Sequence, residues 1–178
     1  MIHENELSGR WALILGASSG FGRATALELA RRGMNIFGVH LDLKATLPIA
    51  KQVVADIEAM GREAVFFNTN AADSAKRGKV LDAVQEKLAA GGEAQAIHLM
   101  MHSLAFGTLL PFVADTPDEA ISEAQMDMTL NVMAHSLVYW VQDLVRRNLF
   151  RRGSRVFSMT SSGSHRIFAR YGAVSAAK

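Results

Sequence analysis

Apolar and polar positions fall in blocks along the chain, and the blocks differ in period. Short runs crowded with Val, Ile, Leu and Phe lie at 11–16 (WALILG), 35–40 (NIFGVH), 64–68 (AVFFN), 96–102 (AIHLMMH) and 154–160 (SRVFSMT). Several are continuously apolar, which predicts strands of a parallel sheet covered on both faces. Segments with helical spacing fill the gaps and predict helices at 20–33, 46–60, 75–90, 118–126 and 128–149. This alternation predicts an α/β fold, a Rossmann-like doubly wound parallel sheet in three layers.

The punctuation agrees with these blocks. Gly33 and Gly61 follow the first two helices where a left-handed residue closes the last turn, and Gly91-Gly92 ends the third. Pro117, preceded by Asp115 and Thr116, is expected to open the fourth. The stretch from Ser103 to Pro117 is the one long connection, and long loops in compact domains often line binding sites. With 178 residues, 49% of them apolar, the chain is expected to form a single domain over 1–178.

Charge and composition remove several functions. Nineteen Lys and Arg against seventeen Asp and Glu leave a net charge of +2, so no nucleic-acid partner is expected. The absence of cysteine excludes disulfides, thiolate metal sites and cysteine nucleophiles, and fits a reducing cytoplasmic location. Glu4 and Glu6 precede the first apolar run, the wrong order for a cationic signal peptide. Apolar stretches such as SLVYWVQDLV fall short of the ~20 residues a bilayer requires, so no membrane span is expected.

The first candidate chemistry is the glycine turn between the first strand and first helix, LILGASSGFGRATALELA. Gly16, Gly20 and Gly22 let the backbone bend and let a pyrophosphate approach where a Cβ would obstruct it. The amides at the start of the helix then face the phosphates, and Ser18 and Ser19 add small hydroxyls that a plain strand-to-helix turn does not need. At the end of the second strand, where an acid favours a free ribose 2′-hydroxyl and a base a 2′-phosphate, VHLDLK sets His40, Asp42 and Lys44 together. Solvated loop charge is the competing reading for Asp42 and Lys44.

Together with MTSSGS after the fifth strand and Tyr171 ten residues beyond Ser161, the turn resembles that of the short-chain dehydrogenase/reductase family. The resemblance covers essentially the whole chain. It implies a catalytic group of Ser161, Tyr171, a lysine and a helix asparagine, and Asn131 in TLNVMAHS matches that asparagine, expected where the long helix begins. It also implies a cofactor, NADPH or NADH with the balance towards NADPH, held by Gly16, Ser18, Ser19, Gly20, Phe21 and Gly22. Further contacts implied are His40, then Asn70 and Ala71 after the third strand, and Ser103, Leu104 and Ala105 after the fourth.

The pattern departs from ordinary members at the lysine. Ser175 stands four residues after Tyr171, and Lys178 stands at the seventh. This Tyr-x6-Lys spacing resembles the divergent enoyl-acyl-carrier-protein reductases, as does HSLAF, His102 to Phe106, after the fourth strand. On a helix the two side chains share a face about 10 Å apart along the axis. Lys178 is then expected to reach the ribose of the nicotinamide nucleotide while Tyr171 faces the substrate.

The resemblance implies NAD(P)H-dependent reduction of an enoyl thioester of fatty acid synthesis, on acyl carrier protein or coenzyme A. The alternatives are a 3-oxoacyl or other carbonyl reductase of the same family, and a dinucleotide-binding fragment without catalysis. Members of the family are longer, so the C-terminal part of the usual fold is expected to be missing after Lys178, and the full-length form to be a homo-oligomer.

Other residues have simpler readings. The six histidines, His3, His40, His98, His102, His135 and His165, show no paired metal-ligand spacing. The basic stretch VRRNLFRRGSR either complements the dipole at the end of the long helix or meets an acidic carrier. The methionines near Met126, Met128 and Met133 read as core filling. Tyr139 and Trp140 are expected on a subunit surface.

Overall fold

A computed structural model of the chain describes residues 7–91 and 95–178; His3, Glu4, Glu6 and Gly92 lie outside them. Five parallel strands, β1 (Trp11–Leu15), β2 (Asn35–His40), β3 (Ala64–Asn68), β4 (Ile97–His102) and β5 (Phe150–Ser158), form one sheet in the order β3-β2-β1-β4-β5. The strand order reverses between β1 and β4. Open α/β sheets bind ligands at the carboxyl edge of such a switch point.

Helices cover both faces, and the alternation of side chains along the strands divides the core in two. On one face Ala12, Ile14 and Ile36 pack with Ala26 and Ala30 of α1 (Gly20–Arg31) and with Val53 and Ile57 of α2 (Leu47–Ala59). On the other, Leu13, Leu15 and Val39 pack with Leu81 and Val84 of α3 (Ser74–Ala90) and with Trp140 and Leu144. Gly33 (φ 97°) and Gly61 (φ 71°) adopt the left-handed conformation expected of them. Gly91 closes α3 right-handed, at φ −87°.

The region from 117 to 155 departs from the prediction. Pro117 opens only a 3-10 turn, Pro117–Glu119, and the helix itself starts at Glu123. Ser122 and Gln125 form the capping box that sets this start: each side chain bonds the other's backbone N–H. α4 (Glu123–Leu130) runs into a π-helical turn, Asn131–His135, and on into α5 (Ser136–Arg146), with no break near 127. Asn148, left-handed at φ 54°, follows the helix end. Trp140, expected on a surface, is wholly buried and its indole N–H donates to the Ala71 carbonyl at 2.8 Å.

β5 starts four residues earlier than the apolar run indicates. Phe150 pairs with Ile97, but the next pair is Leu99 with Arg155, so Arg151–Ser154 loop out of the ladder. A short helix, α6 (Gly172–Ala177), packs against α4. Among the described residues no helix is long and apolar enough to cross a membrane.

Candidate active site

The glycine turn is built so that only glycines fit it. Gly16 (φ 89°) and Gly20 (φ 53°) are left-handed, and a Cβ on Gly22 would lie 2.0 Å from the Gly16 carbonyl oxygen. A Cβ on Gly16 would lie 2.5 Å from the Ser103 carbonyl oxygen, so the turn is closed from the β4 side as well. The Gly16 and Ala17 amides donate to the Val39 carbonyl at 2.8 and 3.1 Å, tying the turn to the end of β2. Ser18 is buried, whereas Ser19 and Phe21 are exposed. The first amides of α1 have no acceptors within the helix and carry the positive end of its dipole. This Cβ-free cradle fits the pyrophosphate of a dinucleotide.

At the neighbouring strand ends, His40 Nδ1 lies 2.7 Å from Asp42 Oδ2, with the imidazole buried and the carboxylate partly buried. Asn68 clamps the same residue: its Oδ1 accepts the Asp42 N–H and its Nδ2 donates to the Asp42 carbonyl, both at 2.9 Å. Burial disfavours the Asp42 carboxylate, but hydrogen bonds from Thr46, Ser18 and His40 outweigh it and hold the carboxyl below its ordinary range. Asn68 escaped the sequence reading, although its position opposite His40 in the β2–β3 register is the signal that finds it. Asn70 and Ala71 are tied inward: Asn70 Oδ1 accepts the Ala72 N–H at 2.9 Å, and the Ala71 carbonyl is taken by Trp140.

The carboxyl ends of β4 and β5 bring the remaining candidates together. Lys178 Nζ donates to the Met159 carbonyl at 2.8 Å, and burial lowers its pKa. Ser161 Oγ accepts the Gly163 N–H at 3.3 Å, and the Tyr171 ring lies over the same glycine. A Cβ on Gly163 would be 2.5 Å from Tyr171 Cε1 and 3.2 Å from Ser161 Oγ, so Gly163 is what allows serine and tyrosine to approach. Tyr171 and Lys178 bracket α6 as its two caps instead of lying within a longer helix. Among the described residues the phenolic oxygen of Tyr171 has no hydrogen-bond partner.

Asn131 opens the π turn and does not begin the helix; its carbonyl accepts the Ser136 N–H. Beneath the turn, His102 Nε2 lies 2.8 Å from Ser136 Oγ, and Ser136 Oγ donates to the Val132 carbonyl at 2.7 Å. Burial, and then the nearby Lys178 ammonium, push the His102 imidazole down to about 4, so it is neutral at ordinary pH. Ser103 donates its amide to the Leu15 carbonyl, Leu104 packs on the core and Ala105 is exposed. Next to Tyr171 a pocket of about 620 Å³ is walled by Phe112, Ile167 and Phe168, with His165, Arg166 and Arg170 also lining it.

The glycine turn at the switch point thus stands on the same edge of the sheet as Ser161 after β5 and the Tyr171 and Lys178 that cap α6. A family model described as Enoyl-(Acyl carrier protein) reductase matches residues 16–178. The chain belongs to the short-chain dehydrogenase/reductase family. Cyclohexanol dehydrogenase of Acinetobacter sp. (strain SE19) is 31% identical over 142 residues, 79% of this chain and 51% of that protein. L-xylulose reductase of Mesocricetus auratus is 27% identical over 167 residues, 93% of this chain and 58% of that one.

The short-chain fold is seen in two solved structures. The promiscuous reductase LugOII superposes with a TM-score of 0.80 at 25% identity, over 96% of this chain and 64% of its own. A Serratia marcescens short-chain dehydrogenase/reductase mutant gives 0.79 at 18%, over 97% and 64%. This short-chain dehydrogenase/reductase thus spans between half and two thirds of the length of these relatives. These relatives are named as dehydrogenases and reductases, and a further one, 25% identical over 97% of this chain and 63% of its own length, as an NADPH-dependent aldehyde reductase-like protein of Arabidopsis thaliana.

Proposed function

We propose that the chain carries the cofactor site and catalytic group of an NADPH-dependent enoyl-thioester reductase of fatty acid synthesis. The observation that carries this reading is the Tyr171–Lys178 pair across α6, with Ser175 at the fourth position and Lys178 Nζ held at Met159. The description of the matching family model supports it. NADPH, when bound, supplies the hydride that reaches the β-carbon of a conjugated thioester. The turn from Gly16 to Gly22 holds the pyrophosphate, and Lys178 hydrogen-bonds the ribose hydroxyls on the nicotinamide side.

As hydride arrives, negative charge gathers on the thioester oxygen. Tyr171 donates a hydrogen bond to that oxygen, and Ser161 adds a second polar contact. Such a donor must be well placed more than it must be acidic. Phe112, Ile167 and Phe168 offer apolar surface to the acyl chain. Arg166 and Arg170 at the same pocket support an anionic carrier, acyl carrier protein or coenzyme A. For the cofactor, Asp42 is already engaged by His40 and Asn68, which leaves the exposed Lys44 to meet a 2′-phosphate.

Carbonyl reduction is the second reading, favoured by the names of L-xylulose reductase and cyclohexanol dehydrogenase and by the keto-reduction ascribed to LugOII. Cofactor oxidation with crotonyl against acetoacetyl thioester separates the two. Consumption with the crotonyl substrate supports the enoyl reading, and consumption with the keto substrate alone supports the other.

A further inference from the structure

The amino ends of β1, β4 and β5 meet at the edge of the sheet opposite the glycine turn. There a cleft of about 460 Å³ is lined by Arg10, His98, Arg151, Arg152 and Ser154 among others, and among the described residues none that lines it is acidic. β4 alone, at six residues, separates this edge from the carboxyl edge by roughly 16 Å. The cleft is therefore no part of the active site.

The looped-out segment of β5 makes the cleft. Gly153 turns with φ 93°, and Ser154 pins the loop twice, accepting the Arg151 N–H at 3.0 Å and donating to the Ile97 carbonyl at 2.7 Å. Arg151 donates to the Asn148 and Phe150 carbonyls, and Arg155 to the Gly153 carbonyl, so these guanidiniums are bent back over the loop. From the facing strand, Arg10 Nη1 lies 2.9 Å from His98 Nδ1. Burial first, and then the charges of Arg10 and Arg155, hold the His98 imidazole below its ordinary range.

Three arginines and a histidine thus line the cleft, Arg10 in contact with His98 and Arg151 and Arg152 on the loop, and among the described residues no carboxylate pairs with any of the arginines. The other basic residues of the same stretch do have acids: Arg146 pairs with Asp143 and Arg147 with Asp82. Guanidiniums brought together from the residue before β1 and from the β5 loop match the oxygens of a phosphorylated anion. The volume suits a small molecule. We propose that this cleft binds a diphosphate-bearing anion, free or as part of a nucleotide, at a site separate from the dinucleotide cradle.

The test is calorimetric titration of the chain with inorganic pyrophosphate at low ionic strength, with and without saturating NADPH. The expected result is one pyrophosphate site that NADPH does not abolish and that weakens as salt is added. The double variant Arg151→Gln with Arg152→Gln, and separately Arg10→Gln, should weaken it at least tenfold while NADPH affinity and thermal unfolding stay unchanged. A parallel titration with ATP identifies the source: tighter binding than pyrophosphate assigns the site to a nucleotide, and equal binding to the phosphates alone. No pyrophosphate binding, binding fully displaced by NADPH, or binding unaffected by the arginine substitutions would overturn the proposal.

Discussion

Two histidines four residues apart on β4 stand at opposite ends of the sheet and meet opposite surroundings. His102, at the carboxyl end, is 3% exposed, bonded to Ser136 under the π turn and close to Lys178. His98, at the amino end, is only partly buried and touches Arg10 at the rim of an open cleft. Both imidazoles are held below their ordinary range, and in both burial is the largest cause. Their consequences differ: the carboxyl end is packed, so its histidine supports the helix that frames the catalytic group. The amino end is open, so its histidine belongs to a collection of charge.

The difference is largest in acid. An unfolded histidine titrates near 6.5 and folded His102 near 4, so between those values the unfolded chain binds more protons. The stability contributed by the neutral, buried imidazole is complete above pH 6.5 and is lost as the pH falls towards 4. This amounts to about 3 kcal/mol. Denaturant midpoints measured from pH 7 down to pH 4 should show most of this fall removed in His102→Gln. A fall of undiminished size in that variant would break the comparison.

At neutral pH, His102→Leu should cost about 2 kcal/mol, because it removes the partner of Ser136 and replaces a fitted ring with a poorly fitting side chain. Hydrogen exchange of the amides from 131 to 137 should rise with it. The matching change at the other end, His98→Gln, should stay within about 0.5 kcal/mol, since a partly exposed site relaxes. Equal losses for the two would remove the distinction between a packed and an open end.

The same contrast explains how far the sequence could be read. β1, β2, β3 and β4 lay where apolar runs placed them, and for the fully buried β1 and β2 burial on both faces leaves that signal in the chain itself. The glycine turn was legible for a similar reason: Gly22 has a backbone oxygen where its side chain would be. Features set by distant partners were not legible. The π turn at Asn131 ends on Ser136, whose hydroxyl meets His102 from another element, and nothing in TLNVMAHS announces it. The early start of β5 depends on Phe150 pairing with Ile97 across a loop of polar residues that reads as a turn.

Trp140 shows the same limit within one helix. Beside the exposed Tyr139 it read as surface, yet it reaches the Ala71 carbonyl in the core. The start of α4 was available from the Ser122–Gln125 spacing, but Pro117 drew the boundary to itself. Gly163 was within the quoted MTSSGS motif, and its role as the floor beneath Tyr171 emerges only when the two segments are folded together.

The central claim is that Tyr171, with Lys178 seven residues on, serves enoyl reduction. Its most direct test is the oxidation of NADPH by the chain with crotonyl thioester, in parallel with its Tyr171→Phe variant. The account predicts turnover with the crotonyl substrate, a loss of 100-fold or more on removing the hydroxyl, on the order of an oxyanion-type donor, and unchanged NADPH affinity. Turnover of acetoacetyl thioester alone, or full crotonyl turnover by the phenylalanine variant, would contradict it.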